Sequence, residues 1–199
     1  MIYRIINEIK SAINNEEFLA ALALALTLPD TCGKAEFPTV KGNRDRYIRW
    51  YDKYVGEYEK PPKSNRNSNS VNNQFDDMPY MSGEIIYSLR CSFLHQETPS
   101  IEKDSIRDPR CKVTHFSLII AGAINGGSSS VSSSSIMNSE ERTLEINIVN
   151  LCSKLCNVAK FYYEDNKEKF DFFEYDLQDR RIDGTDLMWG FPIPDCPSE

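Results

Sequence analysis

The 199-residue chain holds two histidines, His95 and His115, and these are its only imidazoles for proton transfer near neutral pH. His95 closes the run Arg90-Cys91-Ser92-Phe93-Leu94-His95. A guanidinium and an imidazole near one helix end suit metal-free cleavage of RNA. The 2′-hydroxyl must lose a proton and the leaving 5′-oxygen must gain one; a histidine can do either. The phosphorane between them gathers negative charge, which the planar arginine fork is shaped to stabilise. On an ideal α-helix Arg90 and His95 point about 140° apart. They reach one cleft if the helix frays at His95, or if a second chain completes the site. The structural alternative makes His95 a cation at a helix C-terminus and Arg90 an ion-pair or surface residue. A second match, Arg110 to His115, follows Pro109 and runs from a loop into a strand, so His115 reads as a partly buried strand residue.

Other charged groups fall near this run in the expected fold. Arg44, Arg46, Arg49 and Lys53 share one face of a helix whose other face carries Tyr47, Ile48, Trp50, Tyr51, Tyr54, Val55 and Tyr58. That basic face suits RNA phosphates, with Tyr47, Trp50 or Tyr51 to stack on bases; the ordinary reading is a solvated face above a core stripe. Asp30, Lys34 and Glu36 follow an apolar helix. They read either as solvated charges or as groups approaching the same cleft, where a carboxylate would orient His95.

The elements that must position these groups are mostly helical. Ile2, Ile5, Ile6, Ile9 and Ile13 recur at helix spacing. Asn14 followed by Glu17 fits a capping box that starts a second helix, Ala- and Leu-rich nearly all round, which Pro29 and Gly33 close. A third helix starts at Asn43 or Asp45, runs to about Tyr58, and ends before Pro61-Pro62. Ser82 opens a fourth, with Ile85, Ile86, Leu89 and Phe93 as its core stripe, ending near His95. Val113 to Ile120 and Arg142 to Ile148 read as strands of a long-looped β-hairpin, and the second strand can also be read as opening the last helix. That helix runs from Asn150 to about Tyr163.

Residues 1–199 are thus expected to form a single mainly α domain with a β-hairpin insertion around 113–148. Residues 60–78 are a polar, mobile loop, 123–141 a Ser-rich loop and 185–199 an irregular tail. The net charge of −7 argues against nucleic-acid binding through bulk charge, though not against a local basic patch. No phosphate-cradling glycine motif, nucleophile elbow or His-Glu-x-x-His motif occurs, and the six cysteines form no Cys-x-x-Cys. No cofactor and no metal site are expected. Cys152 and Cys156, four apart, read as two buried thiols on one helix face. With no signal peptide and no apolar run long enough to span a bilayer, a cytoplasmic location away from membranes is expected.

The first two helices, the aromatic third and the segment Tyr87-Ser88-Leu89-Arg90-Cys91-Ser92-Phe93-Leu94-His95 resemble the HEPN domain family. Its members are helical bundles with a long antiparallel helix pair and a later helix carrying R-x4–6-H. The resemblance covers about the first half of the chain, with the last helix added by analogy. It implies a metal-independent endoribonuclease, commonly a homodimer with the two motifs facing across the interface, and commonly a toxin or phage-defence effector with an antitoxin or other protein partner. Arg90 would then hold the scissile phosphate and His95 would be the general acid/base. The position after the arginine is commonly polar in active members, whereas here it is Cys91. Some members are non-catalytic interaction modules.

Overall fold

A computed structural model describes residues 2–59, 81–96, 100–101, 106, 113–120, 129–132 and 142–172. The expected 60–78 loop, Gly126-Gly127, the irregular tail, Arg110, Cys111 and Cys196 lie outside the described residues.

The described residues are mainly helical, as the periodicity predicts. Helix α1 (Ile2–Asn14) buries Ile2, Ile6, Ile9 and Ala12. Its end differs from the expected capping box. Asn14 still belongs to α1, Glu17 occupies the N-cap of α2 (Phe18–Ala25), and no side chain caps that helix. The turn is closed by backbone instead: Glu17 N donates to Ala12 O at 2.8 Å and Glu16 N to Ile13 O at 3.1 Å. This is the paired-bond helix ending that needs a left-handed residue, and Glu16 supplies it at φ 62°.

Pro29 and Gly33 do not close the second helix. The chain turns at Leu26 and Thr27 and re-enters a helix, α3 (Leu28–Glu36), with Pro29 in its first turn, where a missing N–H goes unnoticed. Against the expectation of no such run, Phe18–Glu36 is by length and composition apolar enough to cross a membrane, but half of it is buried inside this fold. Tyr47 Oη donates to the Leu26 carbonyl at 3.2 Å, serving an acceptor where the chain bends.

Helix α4 (Asn43–Tyr51) continues through a π-helical turn, Asp52–Gly56, into a short α5 (Glu57–Glu59). Its N-cap is Gly42, with no side-chain cap, rather than Asn43 or Asp45. Trp50, Tyr47, Tyr51 and Val55 are fully buried, as the aromatic stripe predicts, but Tyr58 at its end is exposed. Helix α6 (Gly83–Cys91) starts at Ser82, whose Oγ accepts from Ile85 N at 3.4 Å, and runs on into a second π-helical turn, Ser92–Gln96. Gly83 is required by close approach to α4: a Cβ there would lie 2.6 Å from the Ile48 carbonyl oxygen. Asp52 binds the start of α6, its Oδ1 accepting from Gly83 N at 2.6 Å.

The strands correct the hairpin expectation. β1 (Val113–Ile119) and β3 (Arg142–Asn147) pair in parallel, Phe116 beside Leu144 and Leu118 beside Ile146. A third strand, β2 (Ser129–Ser132), lies inside the serine tract and pairs antiparallel with β3, giving the order β1-β3-β2. β3 passes directly into α7 (Ile148–Asp165), which Asn147 caps by accepting from Asn150 N at 3.1 Å. Val113, Phe116, Leu144 and Ile146 join the helices in one core. Within it α3 packs against α4 and α7, and α4 against α6. Those contacts set Asp30, Arg44, Arg46 and Arg90 at one junction.

Candidate functional site

Arg90 sits in the last turn of α6, partly buried at 17% side-chain exposure. Its Nη2 contacts Asp30 Oδ2 on α3 at 2.8 Å. The other carboxylate oxygen, Oδ1, accepts from Asn43 Nδ2 at 2.9 Å, at the start of α4. Asn43 Oδ1 in turn accepts from Arg46 Nη2 at 2.9 Å, and Arg46 Nη1 donates to the Val40 carbonyl at 3.2 Å. One polar chain thus crosses from the loop before α4, through α3, to α6.

The Tyr87 ring links the arginines. The Arg90 guanidinium lies 5.9 Å from its centroid and that of Arg44 lies 5.8 Å away. Tyr87 packs edge-on to the buried Tyr47 at 5.3 Å, which fixes the ring. Arg44 also reaches Glu84 at 3.5 Å. The junction therefore holds three guanidinium groups, from Arg44, Arg46 and Arg90, against the carboxylates of Asp30 and Glu84. Burial pushes the Asp30 carboxyl up, against the pull of Arg90, Asn43 and Arg46 in the other direction. Arg90 Nε is shut off from solvent and has no acceptor among the described residues.

His95 lies in the π-helical turn that follows α6. Such a turn closes over five residues rather than four and rotates less per residue. His115 is a half-buried residue of β1, its Nδ1 3.0 Å from Thr114 Oγ1, as its strand reading predicts.

The basic face on α4 is divided. Arg44 and Arg46 join Arg90, but Arg49 is exposed, with no partner among the described residues. Lys53 leaves the group altogether, its Nζ bonding Glu36 Oε1 at 2.6 Å. Of the three charged residues after the apolar helix, only Asp30 approaches Arg90. Lys34 lies over the Phe172 ring at 4.4 Å. Glu36 turns to a separate cluster, accepting from Lys53, Tyr54, Tyr162 and Lys169.

The direct Asp30–Arg90 contact was hidden in the sequence because Pro29 reads as a helix stop. The signal that exposes it is Thr27-Leu28-Pro29-Asp30, a proline followed by an acid in a first helical turn. Asn43 was read as a possible cap and instead anchors Asp30. Among the described residues no group of three or more His, Cys, Asp and Glu stands close enough to hold a metal ion. The four described cysteines, Cys32, Cys91, Cys152 and Cys156, are free thiols. No family model, curated protein or solved structure matches the chain.

Proposed function

We propose that this protein is a metal-independent endoribonuclease of the HEPN type, a cytoplasmic toxin or phage-defence effector that works as a homodimer. The observation that carries this reading is the setting of Arg90. Its guanidinium is held by Asp30 of α3, and its own helix, α6, continues as the π-helical turn that carries His95. In this reading Arg90, with Arg44 and Arg46 beside it, binds the scissile phosphate and spreads the charge of the phosphorane. His95 takes the proton of the 2′-hydroxyl as its oxygen attacks phosphorus. The P–O5′ bond breaks, and the leaving oxygen takes a proton from an imidazolium, supplied across the dimer interface or by His95 in turn. The products are a 2′,3′-cyclic phosphate and a free 5′-hydroxyl.

The test is incubation of the purified protein with a mixed RNA pool in EDTA, beside Arg90→Ala and His95→Ala. Cleavage by the wild type and a loss of ~100-fold or more in either variant supports the reading.

A second reading has its own observation. Acidic neighbours already engage two of the three arginines at the junction: Asp30 for Arg90 and Glu84 for Arg44. That suits a non-catalytic HEPN-like interaction module, in which the ion pairs fix helix packing and a protein partner is the ligand. No cleavage by wild type, together with capture of an antitoxin-like partner that Arg90→Ala still binds, would favour it.

A further inference from the structure

We propose that Asp30 is the positioning residue of this site, fixing the direction in which the Arg90 guanidinium presents its free donors to a phosphate. The catalytic part of this inference rests on the ribonuclease reading; the structural part does not.

A long arginine side chain on a helix surface samples many rotamers and loses that freedom on binding an anion. Arg90 has already lost it. Nη2 is fixed on Asp30 Oδ2 at 2.8 Å, and the guanidinium lies 5.9 Å from the Tyr87 centroid. Nε is shut off from solvent. The remaining donors of the fork lie on its Nη1 side. The carboxylate is itself fixed. Asp30 serves two partners, Oδ2 meeting Arg90 Nη2 and Oδ1 accepting from Asn43 Nδ2 at 2.9 Å. Asn43 is fixed in turn by Arg46, and Arg46 by the Val40 carbonyl. Three elements thus determine one guanidinium orientation. An ion pair placed only for stability has no need of this chain, and burying its carboxylate works against stability. Aim matters for catalysis, because a displacement of about 1 Å at a positioned group can lower a rate ~100-fold.

The test compares wild type with Asp30→Asn, Asp30→Glu and Asn43→Ala. Two readouts are taken: the Nε–H resonance of Arg90, assigned by its loss in Arg90→Ala, and the kcat and KM for RNA cleavage. In wild type the Nε–H should exchange slowly with water. Asp30→Asn should speed that exchange ~10-fold or more and lower kcat ~10- to 100-fold, with KM changed less than ~3-fold. Asp30→Glu should recover part of the kcat. Asn43→Ala, on the exposed start of α4, should shift both readouts the same way by less, and keeps the test open if Asp30→Asn fails to fold. An Arg90 resonance and a kcat both unchanged in Asp30→Asn would overturn the proposal, as would a loss confined to KM. If wild type cuts no RNA while the Arg90 resonance still depends on Asp30, the ribonuclease reading falls and the hold of Asp30 on Arg90 stands.

Discussion

Glu36 divides four donors between two oxygens: Lys53 and Tyr54 on Oε1 at 2.6 and 2.8 Å, Tyr162 and Lys169 on Oε2 at 2.9 and 2.8 Å. Burial works to raise its carboxyl, but the bonds from Lys169, Lys53, Tyr54 and Tyr162 outweigh burial and hold it down at about 2. A carboxyl lower in the folded chain than its ordinary 4.5 stabilises the fold while ionised. That contribution is complete above pH ~4.5 and drains away as pH falls towards 2. Glu36→Gln should therefore lower the urea midpoint at pH 7 and leave a smaller difference from wild type at pH 2.5 to 3. An equal difference at both values would mean that the charge contributes nothing. Glu16 tests backbone strain alone. It is exposed and sits at φ 62°, where a β-carbon is crowded. Glu16→Gly should stabilise the protein by about 0.5–1 kcal/mol, read as a higher urea midpoint with an unchanged slope.

At the scale of elements, α4 and α6 meet through glycine. The Cβ of Gly83→Ala would press on the Ile48 carbonyl, which is backbone and cannot swing aside. The substitution should destabilise by about 1–3 kcal/mol and move Arg90 relative to Asp30. A chemical-denaturation curve like that of wild type would show that the two helices are not packed as described. The core stripes of α1, α4, α6 and α7 were legible because each places large apolar groups at helix spacing, and Ser82 announced the start of α6. The helix ends were harder. The capping box at Asn14 and Glu17 competed with a backbone ending that any residue tolerating left-handed φ can supply. Pro29 signals a stop and a first turn equally well, and only the packing of α3 on α4 decides between them. Alternation showed that residues 113–120 and 142–148 are strands, but it carries no information on parallel or antiparallel pairing. β2 is written mainly in serine, which has no strong preference for a strand, and it gave no signal.

Among the described residues, one core takes in α1, β1, β3 and α7. Burial pushes the Cys152 thiol up to about 12 and that of Cys156 to about 11, and it raises Cys32 further still. A thiol reagent at pH 8 should leave these three unmodified in the folded protein and label them at the rate of global unfolding. Fast labelling of either α7 cysteine would contradict a closed core.

The proposed chemistry was legible only as a pattern, Arg90 and His95 on one helix. The sequence did not show that Asp30 reaches Arg90 and is itself held by Asn43, because that depends on how three helices cross. It also kept Arg49 and Lys53 with Arg44 and Arg46, since a helical wheel assigns a face but not the partners that face meets. The most direct test of the central claim is single-turnover cleavage of an RNA pool in EDTA, beside the same pool with every 2′-hydroxyl methylated. The account predicts cleavage of the unmodified RNA only, with 2′,3′-cyclic phosphate ends and no cleavage by His95→Ala. Cutting of the methylated pool, or undiminished cutting by His95→Ala, would contradict it.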